Sequence, residues 1–158
     1  MHLPSTDISA SLQFALAWRL LLAAALGAAL GFDRSLAGKH AGMRTYALVS
    51  MGSALFVMVG VLASYQLSLF SAINPLQVAA NVVLGVGFLG TGLAVFRGEH
   101  PVELTTAAGL WVAAGLGMAT GFGFGFLALC AAVLAVGILT LLLSFENNMR
   151  SKYGTDTR

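Results

Sequence analysis

Long apolar runs, each closed by a short polar or glycine- and proline-marked break, set the pattern of this chain. The first run covers 12–32 and is interrupted only by Gln13 and Arg19. The second covers 46–63 and follows a charged stretch from Asp33 to Arg44. Asn74 and Pro75, an N-cap residue followed by proline at the first helical position, open a third run at 75–96. Pro101 opens a fourth at 102–120, and the glycine–phenylalanine alternation of 121–125 separates it from a fifth at 124–145. A helix of about 20 apolar residues crosses a bilayer. The pattern therefore predicts an all-α integral membrane protein with five transmembrane helices, the last two forming a tight hairpin. The flanks, 1–11 and 146–158, are too short to fold alone.

Charge sharpens this picture. Ordinary soluble domains carry roughly a quarter charged residues. This chain of 158 residues carries 9%, with 58% hydrophobic residues and a mean hydropathy of +0.89. No Asp, Glu, Lys or Arg stands between Arg44 and Arg97, or between Glu103 and Glu146. A soluble fold could not cover its surface from such runs. With five spans, every Lys and Arg except Arg19 falls on one side: Arg34, Lys39 and Arg44, then Arg97, then Arg150, Lys152 and Arg158. The positive-inside rule makes that side cytoplasmic and puts the N-terminus outside, on the periplasmic face. The net charge of +2 is thus a topology signal, and no nucleic-acid partner is expected. A cleaved signal peptide is the competing reading of the first run, but no Lys or Arg precedes Arg19 and Asp7 is acidic. The one cysteine, Cys130, permits no internal disulfide.

Polar residues then mark three candidate sites. Arg19 lies inside a span, and such arginines face the bundle interior or snorkel outward. Gln77 and Asn81 share a helix face at a comparable depth, so Arg19 is expected to donate to Asn81, and to Gln77, as a packing clip or as part of an outward-open polar cavity. A second cluster gathers at the cytoplasmic face from Asp33, Arg34, Arg44, Thr45, Arg97, Glu103, Thr105 and Thr106. It reads as ion pairs that fix helix ends, or as a site for an ion or a cytosolic partner. The third set is glycine: Gly27 with Gly31, Gly117 with Gly121, and the group Gly85, Gly87, Gly90 and Gly92. Small residues let helices approach closely in lipid, within one bundle or across a homodimer. No metal site and no cofactor are expected, since His40 and His100 are scattered and no acid lies deep in a span. No catalytic constellation is present either, so the chain reads as no enzyme.

Four motifs follow one another in order: GAALGFDR at 27–34, AGMRTYALV at 41–49, GVGFLGTG at 85–92 and LTTAAGLW at 104–111. Together they resemble the MgtC/SapB family of bacterial inner-membrane proteins, over about Trp18 to Leu143. The resemblance implies a helical membrane domain in the cytoplasmic membrane. It also implies a non-enzymatic role in magnesium homeostasis, exerted on a membrane protein partner that in some members is the ATP synthase. A cytosolic domain that often follows in the family is not expected before Arg158. Against the family pattern, Asp33 stands for Glu, Tyr46 for His, Asn81 for Gln and Glu103 for Gly, while Asn74 and Gln77 replace an acid and a base. The leading expectation is a modulator of a membrane partner or of ion homeostasis. The alternatives are a small transporter or channel with its polar site near Arg19 and Asn81, and an oligomeric scaffold in contact with membrane lipid.

Overall fold

The protein is described here from a computed structural model, which covers residues 9–36, 38, 39, 41–66, 74–95 and 104–153. Among the described residues there are five helices and no strand: α1 (Ala10–Leu36), α2 (Met43–Gln66), α3 (Pro75–Val95), α4 (Leu104–Phe122) and α5 (Gly125–Tyr153). All five are long and apolar enough to span a membrane. Helices are the expected answer to such runs, because hydrocarbon offers no partner to a backbone N–H or C=O. At 1.5 Å per residue, α1 is about 40 Å long, more than the apolar layer of about 30 Å. Its 27 residues and the 29 of α5 continue past the apolar runs into the polar flanks.

Local chemistry sets the helix ends. Asn74 Oδ1 accepts from the Leu76 N–H at 2.9 Å, and the Asn74 carbonyl accepts from Gln77 at 2.9 Å, with Pro75 between them where no donor is needed. Helices α1 and α4 close in the same way. Lys39 N–H reaches the Arg34 carbonyl and Gly38 N–H that of Ser35, just as Phe124 reaches Ala119 and Gly123 reaches Thr120. This double bond pattern needs a left-handed residue at its centre, and Gly38 (φ 64°) and Gly123 (φ 94°) supply it. The second closure makes the tight α4–α5 hairpin. The start of α2 is capped from outside, by Ser35 Oγ accepting from the Met43 N–H at 2.8 Å.

Helix α2 lies between α1 and α4, and these three helices form the core. Helix α1 buries Ala23, Leu26, Gly27, Leu30, Gly31 and Arg34, one face repeating every three or four residues. Helix α4 is the most enclosed, half of its span being buried against 6% for α3. Helix α5 packs on α1 and α4, and α3 packs on α4 and α2. Among the described residues α3 makes no contact with α1.

Candidate functional site

At one end of the bundle the core closes over a charge. Arg34, on the last turn of α1, is 8% exposed. Its Nη2 donates to Thr106 Oγ1 on the first turn of α4, while its Nε is buried with no partner among the described residues. Tyr46, fully buried on α2, donates its hydroxyl to the Thr106 carbonyl at 3.2 Å. The ring needs Gly109, since an added Cβ there would fall on the Tyr46 hydroxyl and 3.0 Å from two ring carbons. Thr106 thus ties all three core helices together. Of the expected cytoplasmic-face cluster the structure joins Arg34 to Thr106. Asp33 is half-buried, and Arg44, Thr45 and Thr105 are exposed. Arg97 and Glu103 lie outside the described residues, as do His40 and His100. Tyr46 and Gly109 were not singled out in the sequence as site residues. The signal was available in the tyrosine within the second apolar run, whose hydroxyl requires a buried partner.

At the other end sits Arg19. Its Nη1 donates to the Gly121 carbonyl at 3.2 Å, and its Nη2 lies 3.1 Å from where a Cβ on Gly123 would stand. A guanidinium is well placed there, because the last carbonyls of α4 have no intrahelical donor and carry the negative end of the helix dipole. The expected Arg19–Asn81–Gln77 cluster is not assembled: Gln77 and Asn81 are exposed on α3, which does not touch α1. Replacing Arg19 by leucine is expected to cost about 1–2 kcal/mol, the worth of a charge-assisted bond to a helix end. Denaturation in detergent should show that loss, with Arg19→Lys losing less and Asn81→Leu leaving the monomer's stability unchanged.

Between the two ends runs a seam closed by glycine. A Cβ on Gly27 would stand 2.5 Å from the Tyr46 carbonyl oxygen, and one on Gly31 2.8 Å from Met43 Cα. From α4, Gly117 lies against the Ser50 carbonyl and Gly121 against that of Ala54. These four glycines are consumed within the monomer. Two buried hydroxyls bond within their own helices: Thr120 donates to Leu116 at 2.7 Å, and Ser53, on the side of α2 toward α3, donates to Val49 at 2.7 Å. Ser50 Oγ is buried with no partner among the described residues.

The third helix differs. A Cβ on Gly85, Gly87 or Gly92 would meet nothing within 4 Å, and one on Gly90 would touch Ala107 at 3.4 Å. Between α2 and α3 opens a groove of about 630 Å³, lined by apolar side chains such as Leu48, Val49 and Phe56 with Ser53, Asn81 and Gly85. Among the described residues no group of His, Cys, Asp and Glu could hold a metal ion.

Known proteins give this arrangement a family. The MgtC family model matches residues 20–148. YhiD of Escherichia coli (strain K12), whose name labels it provisionally a magnesium transporter, is 43% identical over 136 residues, 85% of this chain and 63% of YhiD. SrpB of Synechococcus elongatus is 50% identical over 111 residues, 65% of this chain and 60% of SrpB. MgtC of Salmonella typhimurium is 38% identical over 112 residues, 71% of this chain and 46% of that protein. The chain therefore spans less than two thirds of the length of these relatives. No solved structure matches it at a significant level. Matched over most of its length and built of five membrane-spanning helices, the chain belongs to the MgtC family of multi-pass membrane proteins.

Proposed function

We propose that this protein is a non-enzymatic inner-membrane modulator, which acts on ion homeostasis through contact with a membrane partner and does not carry ions through its own bundle. One observation carries the reading: the α1–α2–α4 seam is closed by backbone contacts at Gly27, Gly117 and Gly121 and holds a guanidinium at each end, Arg34 and Arg19. A cation entering it would meet positive charge first. Inside, the polar side chains it would meet among the described residues are neutral hydroxyls, Ser50 and Thr120. Magnesium asks for about six oxygen ligands with carboxylates among them, and among the described residues no carboxylate stands on α1, α2 or α4 between the two guanidiniums except Asp33 beside Arg34. The name of YhiD supports the link to magnesium, and only as far as the ion. In the proposed orientation the Arg34 end is cytoplasmic, following the positive-inside rule.

Purified protein reconstituted in liposomes tests this. No Mg²⁺, K⁺ or proton flux above that of empty vesicles is expected under any gradient, and Arg19→Ala should not change the result. Flux that saturates with Mg²⁺ would overturn the reading in favour of a transporter. That alternative draws on the name of YhiD, and its path would have to follow the open α2–α3 groove past Asn81.

A further inference from the structure

Gln77, Asn81, Leu84, Gly85 and Phe88 fall at the spacing that puts them on one side of α3, and all five are exposed, Leu84 and Phe88 each to 78%. This strip is unlike the rest of the lipid-facing surface. It carries two carboxamides one turn apart, and neither side chain has a hydrogen-bond partner among the described residues. An amide facing hydrocarbon without a partner costs several kcal/mol. The strip also holds the open Gly85, and it borders the groove that Asn81 and Gly85 line.

We propose that α3 is a self-association helix, and that a second copy of this chain covers the strip. Copies inserted in the same direction are related by an axis along the membrane normal. Two α3 helices meeting on that axis run parallel, so each residue faces its own counterpart at equal depth. A carboxamide is donor and acceptor at once. Asn81 therefore pairs with the partner subunit's Asn81 with no second polar residue required. A different protein would need its own polar group at that depth, and a lipid tail has none to give. Packing is self-complementary in the same way. Leu84 and Phe88 form a ridge beside the hollow at Gly85, and the ridge of one copy seats in the hollow of the other. Glycine at the hollow lets the backbones approach.

The test uses the full chain in phosphatidylethanolamine–phosphatidylglycerol vesicles, in a Cys130→Ala background. With a copper–phenanthroline oxidant, Asn81→Cys is expected to give a disulfide-linked dimer. Leu134→Cys, on the exposed outer side of α5, should remain monomeric. Energy transfer between labelled copies should show an association constant about tenfold lower for Asn81→Leu, the scale of one hydrogen bond between helices, with Asn81→Gln restoring most of it. Gly85→Leu fills open space in the monomer and should weaken association while the fold survives. A monomer in the unsubstituted vesicles, equal crosslinking at 81 and 134, or association indifferent to Asn81→Leu would each overturn the proposal. Flux is scored in the same vesicles, so the failure of one reading leaves the other standing.

Discussion

Replacing Gly117 by alanine is expected to destabilise the protein strongly, although alanine is the better helix former. The added methyl gains about 1 kcal/mol of helix propensity. Against that gain stands the Ser50 backbone, whose carbonyl oxygen occupies the methyl's place and whose carbonyl carbon would be 2.7 Å away. Flexible side chains can swing aside, but here a helix must move, and α2 is also held by its close backbone contacts with α1 at Gly27 and Gly31. Overpacking a well-filled core costs about 1–3 kcal/mol, and more when backbone has to shift. The net loss should exceed about 2 kcal/mol, a large part of an ordinary fold's total stability. Gly85→Ala makes the control, since its methyl meets nothing within 4 Å. That variant should keep the propensity gain and stabilise the monomer by up to about 1 kcal/mol. Unfolding in detergent, followed through Trp18 and Trp111 fluorescence, should move in opposite directions for the two substitutions. Equal midpoints would mean that α2 and α4 are not in contact at Ser50.

This contrast also shows what the sequence could reveal and what it could not. The five helices were legible from apolar runs alone, and so were Asn74–Pro75 as a helix start and the glycine-rich turn as a hairpin. Each of those readings is local, because a cap or a left-handed residue is fixed by its own neighbours in the chain. Gly117 and Gly85 look alike in one dimension. Their difference lies in what stands opposite, a Ser50 carbonyl in one case and open space in the other. In spans that are apolar all round, no polar stripe marks the outward face, so helix neighbours cannot be read from pattern. Arg19 failed for that reason: it found a carbonyl at the end of α4, not the amides on α3, and only the placement of α4 and α5 decides between them. Arg34 and Thr106 did come together from the set expected at one face, because both sit at helix ends that the loops force to the same side.

Replacing Thr106 by valine is expected to destabilise the protein more than removing the charge that Thr106 serves. Valine preserves the side chain's shape but takes away the oxygen that accepts from Arg34 Nη2. The guanidinium, 8% exposed and with its Nε unpartnered among the described residues, then loses the Thr106 hydroxyl as acceptor. A hydrogen bond to a charged group contributes about 1.5–3 kcal/mol, and leaving a buried charge without its partner costs at the upper end of that range. Arg34→Met removes the charge and keeps an unbranched apolar stem in the same space. Exchanging a buried polar pair for apolar groups of similar volume is close to neutral, so this variant should lose about 1 kcal/mol or less. The Arg34→Met, Thr106→Val double variant should then be more stable than Thr106→Val alone, a coupling that double-mutant analysis in detergent measures directly. If Arg34→Met proves the most destabilised of the three, the guanidinium is a structural clip between α1 and α4. The expected order means the opposite. A stable Arg34→Met protein is then the variant in which the proposed modulation can be tested free of loss of fold.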